Sequence, residues 1–165
     1  MRFLRRAVER LLSGDVPGIR EAWVETVAAL RQRRLTTHEV ASRVRLTKSP
    51  EQYHATRDGR RELPYEAMLL GGRQEWRRGE RVRVYRVQGG AAGLVTDAPD
   101  GVDPANYDVE HYVRVLRDHY AVRLASAFAP TDHAALFADP DRDIDVSGGV
   151  LGDPAGVTEG VRGEG

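Results

Sequence analysis

Cysteine is absent from the 165 residues, which excludes disulfides, cysteine-liganded zinc and thiol nucleophiles together. Lysine is nearly absent too: Lys48 stands alone among 25 cations, so arginine carries almost all of the positive charge. No apolar run approaches the roughly 18 residues that a membrane-spanning helix needs. The first residues, Met1-Arg2-Phe3-Leu4-Arg5-Arg6, carry charge but lack an apolar core and a small-residue cleavage site, so no secretory leader is expected. With 41% hydrophobic and 30% charged residues, the composition predicts a soluble globular chain, cytoplasmic and without a membrane partner.

Signatures of chemistry are also missing. The five histidines, His38, His54, His111, His119 and His133, make no H-x-x-x-H or H-E-x-x-H spacing, so no metal site is expected. Asp139, Asp141, Asp143 and Asp145 alternate, but an EF-hand counted from Asp139 would need Gly and Glu where Ile144 and Val150 stand. Gly89, Gly90 and Gly93 follow a strand-like segment without spelling a dinucleotide or phosphate-binding loop, and read as a hairpin turn. No Ser-His-Asp or paired-carboxylate grouping stands out, and no catalytic residue is expected.

What is present is a charge polarity hidden under a net charge of zero. Residues 1–90 hold 20 Arg and Lys against 11 Asp and Glu; residues 91–165 hold 5 against 14. Such asymmetry suggests a polyanion partner for the basic half. Two solvated faces that attract each other would give the same sums.

Periodicity supplies the elements. Phe3, Leu4, Ala7, Val8, Leu11 and Leu12 recur at helical spacing over residues 2–12, and Ser13-Gly14-Asp15 breaks the run. A second helix is expected over residues 17–34, with Ile19, Ala22, Trp23, Thr26, Val27 and Leu30 inward, packed on the first as a hairpin. Residues 40–47 alternate: Val40, Ser42, Val44 and Leu46 on one face, Ala41, Arg43, Arg45 and Thr47 on the other, which predicts a half-buried strand. One helical turn is expected over residues 50–53, and a helix from Pro64 stopped by Gly71-Gly72. Residues 80–87 alternate as well, with Val82 and Val84 opposite Arg81, Arg83 and Tyr85. A short return strand is expected at Leu94-Val95. Asp108 caps the longest predicted helix, residues 109–128, with a stripe of Val109, Tyr112, Val113, Leu116, Tyr120, Leu124 and Phe128. A short helix over residues 131–137 follows. The fold class expected is α+β: an N-terminal helical hairpin, a small antiparallel sheet and a long C-terminal helix. The domain is placed at 1–138, and residues 139–165, rich in Asp and Gly, read as a disordered acidic tail.

The basic elements point to a ligand. Arg43, Arg45 and Lys48, with Thr47 between, put three cations and a hydroxyl on one strand and its exit. Arg57, Arg60 and Arg61 follow in a polar stretch that also holds Tyr53 and Thr56. Flexible cations beside hydroxyls suit phosphate oxygens. A merely solvated strand face would look the same.

Six segments, in order, resemble the thumb region of family B DNA polymerases, over residues 3 to about 137. Residues 3–15, ending in Ser13-Gly14-Asp15, resemble the first thumb helix and its Gly-Asp turn, and residues 19–34 occupy the place of the long thumb helix. The strand with Thr47-Lys48-Ser49-Pro50-Glu51-Gln52-Tyr53 resembles the family's hydroxyl, cation and tyrosine pattern. Glu66 to Gly72 is similar to the following small helix, Gly79 to Tyr85 to a later strand, and Tyr107-Asp108-Val109-Glu110-His111-Tyr112 to the start of the last thumb helix. The family often carries Pro-His-Val where this chain has Glu62-Leu63-Pro64.

The resemblance implies a module that grips primer–template duplex DNA on its phosphates during replication or repair. Its candidate contacts are Arg43, Arg45, Thr47, Lys48, Tyr53, Arg57, Arg60 and Arg61. The carboxylates that hold Mg²⁺ for nucleotidyl transfer belong to the palm in that family, upstream of the thumb. No cofactor is therefore expected in this chain, which would be inactive alone and could pair with a separate palm subunit. The competing reading is a non-catalytic protein-interaction module with no nucleic-acid role.

Overall fold

A computed structural model describes residues 2–96 and 101–142. Helix α1 (Phe3–Leu12) buries Phe3 and Ala7 and leaves its arginines outside. Its end is set by Gly14, whose φ of +73° lies in the left-handed region. Asp15 then caps α2 (Val16–Arg31), its Oδ1 accepting the Gly18 N–H at 2.9 Å, with Pro17 in the first turn. Gly18 is required there, since a Cβ would stand 2.2 Å from Asp15 Oδ2. The two helices pack as the expected hairpin, Phe3 edge-on to Trp23 with ring centroids 5.7 Å apart. Helix α2 stops three residues before the expected Arg34. Arg33 turns to φ +53° and spends its guanidinium on the carbonyls of Ala105 and Tyr107, at 2.7 and 2.9 Å.

The strand expected over 40–47 is shorter. A capping box, Thr36 with Glu39, nucleates a turn of helix, α3 (Thr37–Val40), and removes Val40 from the strand. Strand β1 (Ser42–Arg45) follows. Ser49 and Gln52 form a second capping box for α4 (Pro50–Thr56), longer than the single turn expected. Helix α5 (Leu63–Leu70) buries Tyr65, Ala67 and Met68. Strands β2 (Arg81–Arg86) and β3 (Ala92–Leu94) form a hairpin through Gly89 and Gly90, at φ +88° and +91°. The sheet is antiparallel in the order β1-β2-β3.

The long C-terminal helix expected over residues 109–128 is helical as far as Ala127, with Phe128 extended, but it is not uniform. An α segment, α6 (Val109–Val115), passes into a π turn (Leu116–Tyr120) and a 3₁₀ stretch (Ala121–Ala127). The π turn inserts a residue into the stripe, so Ala121 is fully buried where Tyr120 was expected, and Tyr120 is only half-buried. Helix α7 (Pro130–Leu136) leads to Phe137, whose ring packs edge-on against Trp23 at 5.4 Å.

Two hydrophobic clusters result. One joins α1, α2, α6 and Phe137; the other lies under the sheet, where Val82, Val84 and Ala92 meet Leu46, Tyr53, Tyr65, Met68 and Trp76. The described part of the presumed tail begins inside the fold. Asp139 takes both terminal nitrogens of Arg31, each at 2.8 Å, and Ala138 accepts from Trp23 Nε1 at 2.9 Å. The boundary of the folded part therefore lies beyond Asp139. Residues 143–165, the rest of the expected tail, lie outside the described residues.

Candidate nucleic-acid interface

Strand register assembles the basic face. Arg43 is directly opposite Arg83, and Arg45 directly opposite Arg81. Partners opposite one another in an antiparallel pair share a face, so these four arginines project together from the side of the sheet away from Val44, Val82 and Val84. Arg43, Arg45 and Arg81 are exposed and Arg83 is half-buried. Tyr85 shares this face but is buried, its ring lying over Gly93, where a Cβ would come within 2.5 Å of it. The open part of the face thus offers charge and no exposed aromatic ring from these strands.

Like charges directly opposite each other weaken a sheet. Here there are two such pairs, and among the described residues none of the four arginines has an ion pair with a carboxylate. The contrast with neighbouring cations is sharp. Arg73 reaches Glu80 at 2.6 Å, Lys48 reaches Glu62 at 2.9 Å, and Arg57 holds Glu66 through two bonds, 2.7 and 3.0 Å.

These pairings sort the candidates read from the sequence. Arg43 and Arg45 stand on the open face, and Thr47 is exposed at its end. Lys48 and Arg57 are already neutralised by carboxylates. The Arg57 guanidinium, with the Tyr53 hydroxyl, holds the Glu66 carboxyl down at about 2. Tyr53 is not a surface contact: it is fully buried, stacked on Tyr65 with centroids 4.4 Å apart, and donates to Glu66 at 2.5 Å. Burial and the Glu66 charge push its own hydroxyl upward. Arg60 and Arg61 are exposed beyond α4. Arg81 and Arg83 were not among the candidates. Their alternation was visible in the sequence, but only the pairing with β1 brings them beside Arg43 and Arg45.

The scaffold holding this face is tied down. The Tyr65 hydroxyl accepts the N–H groups of Thr47 and Lys48, at 3.0 and 2.9 Å. Trp76 Nε1 donates to the Lys48 carbonyl at 2.9 Å. The ladder continues past β1, with Leu46 N–H donating to Glu80 O at 2.8 Å and Gly79 N–H to Leu46 O at 2.7 Å. Among the described residues, no helix is long and apolar enough to cross a membrane.

Comparison with protein-family models, curated proteins and solved structures finds no match for this chain. A functional reading therefore rests on the residues themselves.

Proposed function

We propose that this chain grips duplex DNA by its phosphates, as the thumb of a family B DNA polymerase does, with nucleotidyl transfer supplied by a separate palm. The observation that supports the reading is the arginine face: two like-charged cross-strand pairs that, among the described residues, have no carboxylate partner. A fold that tolerates this repulsion gains from an anion that relieves it. Guanidinium groups suit phosphate, because their planar donors pair with two oxygens at once. Contacts to phosphate oxygens carry no sequence information, so binding of this kind is independent of sequence.

Fluorescence anisotropy with labelled primer–template duplexes of unrelated sequence tests the reading. Equal affinities across sequences, and no primer extension by the purified chain, are expected. Binding confined to one sequence, or absent for every duplex, contradicts it; total absence favours the protein-interaction reading.

A further inference from the structure

The face does not end with the sheet. At the exit of β1 the side chains of Arg45 and Thr47 line a depression together with Arg78 and Gly79, and an adjoining one runs from Thr47 and Arg78 to Gln52 and Thr56. Gly79, at φ +90°, takes a left-handed turn that favours glycine, and the Arg45 guanidinium lies over it, 3.5 Å from where a Cβ would stand. Arg78 is exposed and, among the described residues, has no carboxylate partner. Its neighbour Arg77 lies differently, in a depression with Glu75 and Glu80, and its N–H donates to Glu80 at 3.1 Å.

We propose that Arg78 and the Thr47 hydroxyl, with Arg45, form a phosphate subsite that extends the arginine face past the end of β1 and holds a further phosphate of the same DNA strand. The inference rests on the duplex-binding reading of that face. The backbone that carries the subsite is fixed in advance of binding. Trp76 is buried and bonded to the Lys48 carbonyl, which fixes the loop carrying Arg78 against the β1 exit. The Tyr65 hydroxyl fixes the Thr47 backbone from below. The backbone positions are fixed while the exposed Arg78 and Arg45 side chains stay free to reach an anion. Arg78 brings charge and forked donors; Thr47 brings a neutral hydroxyl.

The test uses the full chain, a mixed-sequence duplex DNA and a salt titration of its affinity. Arg78→Ala is expected to make the slope of log K against log salt shallower by about 0.9, the contribution of one neutralised phosphate, with an unchanged melting temperature. Thr47→Val is expected to weaken binding at every salt concentration without altering the slope, because a hydroxyl releases no counterion. Arg114→Ala, on exposed α6 surface, is expected to change neither. If Arg78→Ala keeps the wild-type slope while Arg43→Ala loses about 0.9, the subsite is refuted and the sheet face stands. If Arg114→Ala flattens the slope as much as Arg78→Ala, the effect is net charge alone and the subsite is refuted. If the wild-type chain binds no duplex at any salt concentration, the reading of the whole face fails.

Discussion

Reversing one charge on the sheet should move stability and binding in opposite directions. Arg43 is exposed on the edge strand and stands opposite Arg83. Arg43→Glu removes a like-charged cross-strand pair and creates an opposite-charged one. The opposite-charged pair is worth roughly 0.2–1 kcal/mol and relief of the repulsion adds to it, so the fold should gain at least about 0.2–1 kcal/mol. At about 2–4 °C per kcal/mol for a domain of this size, the melting temperature should rise by at least about 0.4–4 °C. Little packing is lost, because the side chain it replaces is solvated. Duplex affinity should fall, with a salt slope shallower by at least about 0.9, since one phosphate contact disappears and a repulsive carboxylate takes its place. Thermal denaturation followed by circular dichroism, beside anisotropy on the same samples, reads both. A variant that melts lower, or binds duplex as well as wild type, would refute the idea that this face gives up stability for an anion.

Three further outcomes follow from the packing. Leu116 is fully buried at the start of the π turn, so Leu116→Ala should cost about 2–5 kcal/mol in denaturant unfolding. Tyr53→Phe strips a buried hydroxyl from Glu66 and from the Glu62 N–H; it should cost about 1–3 kcal/mol yet leave the salt slope of DNA binding unchanged, because the ring never reaches the surface. Asp139 is held at about 2, chiefly by hydrogen bonding to Arg31, below its ordinary 3.8. A carboxyl depressed on folding stabilises above its ordinary range and loses that contribution as pH falls from about 4 to about 2. At 21% side-chain exposure the contribution is on the order of 2 kcal/mol, so Asp139→Asn should lower stability by about that much at pH 7 and flatten its decline in acid.

Much of the frame was legible because local rules governed it. Gly14, Asp15 and Pro17 mark the α1–α2 turn by backbone geometry and capping alone, and both show in the structure. The missed elements had competing local signals or distant causes. Thr36 and Glu39 spell a capping box that outweighs the strand alternation at Val40. The π turn breaks the 3.6-residue period on which the stripe through Tyr120 depended. A tyrosine in a polar stretch looks like a surface contact until its stacking partner, Tyr65, is known. Asp139 looks like the start of a tail because its partner, Arg31, lies 108 residues away. The site was half legible for the same reason. Each strand shows its arginines, but register decides which of them face one another.

The central claim is that four arginines of one sheet face, Arg43, Arg45, Arg81 and Arg83, hold the phosphates of duplex DNA. The most direct measurement is the affinity for one mixed-sequence duplex between 50 and 200 mM salt, a range over which phosphate contacts reveal themselves, for the wild-type chain and for a variant with all four changed to Ala. Wild type should show a slope of about −3.6 or steeper, from roughly 0.9 for each of four phosphates, and the variant should flatten by about 3.6 while remaining folded. A folded variant that keeps the wild-type slope, or a wild-type affinity indifferent to salt, would contradict the account.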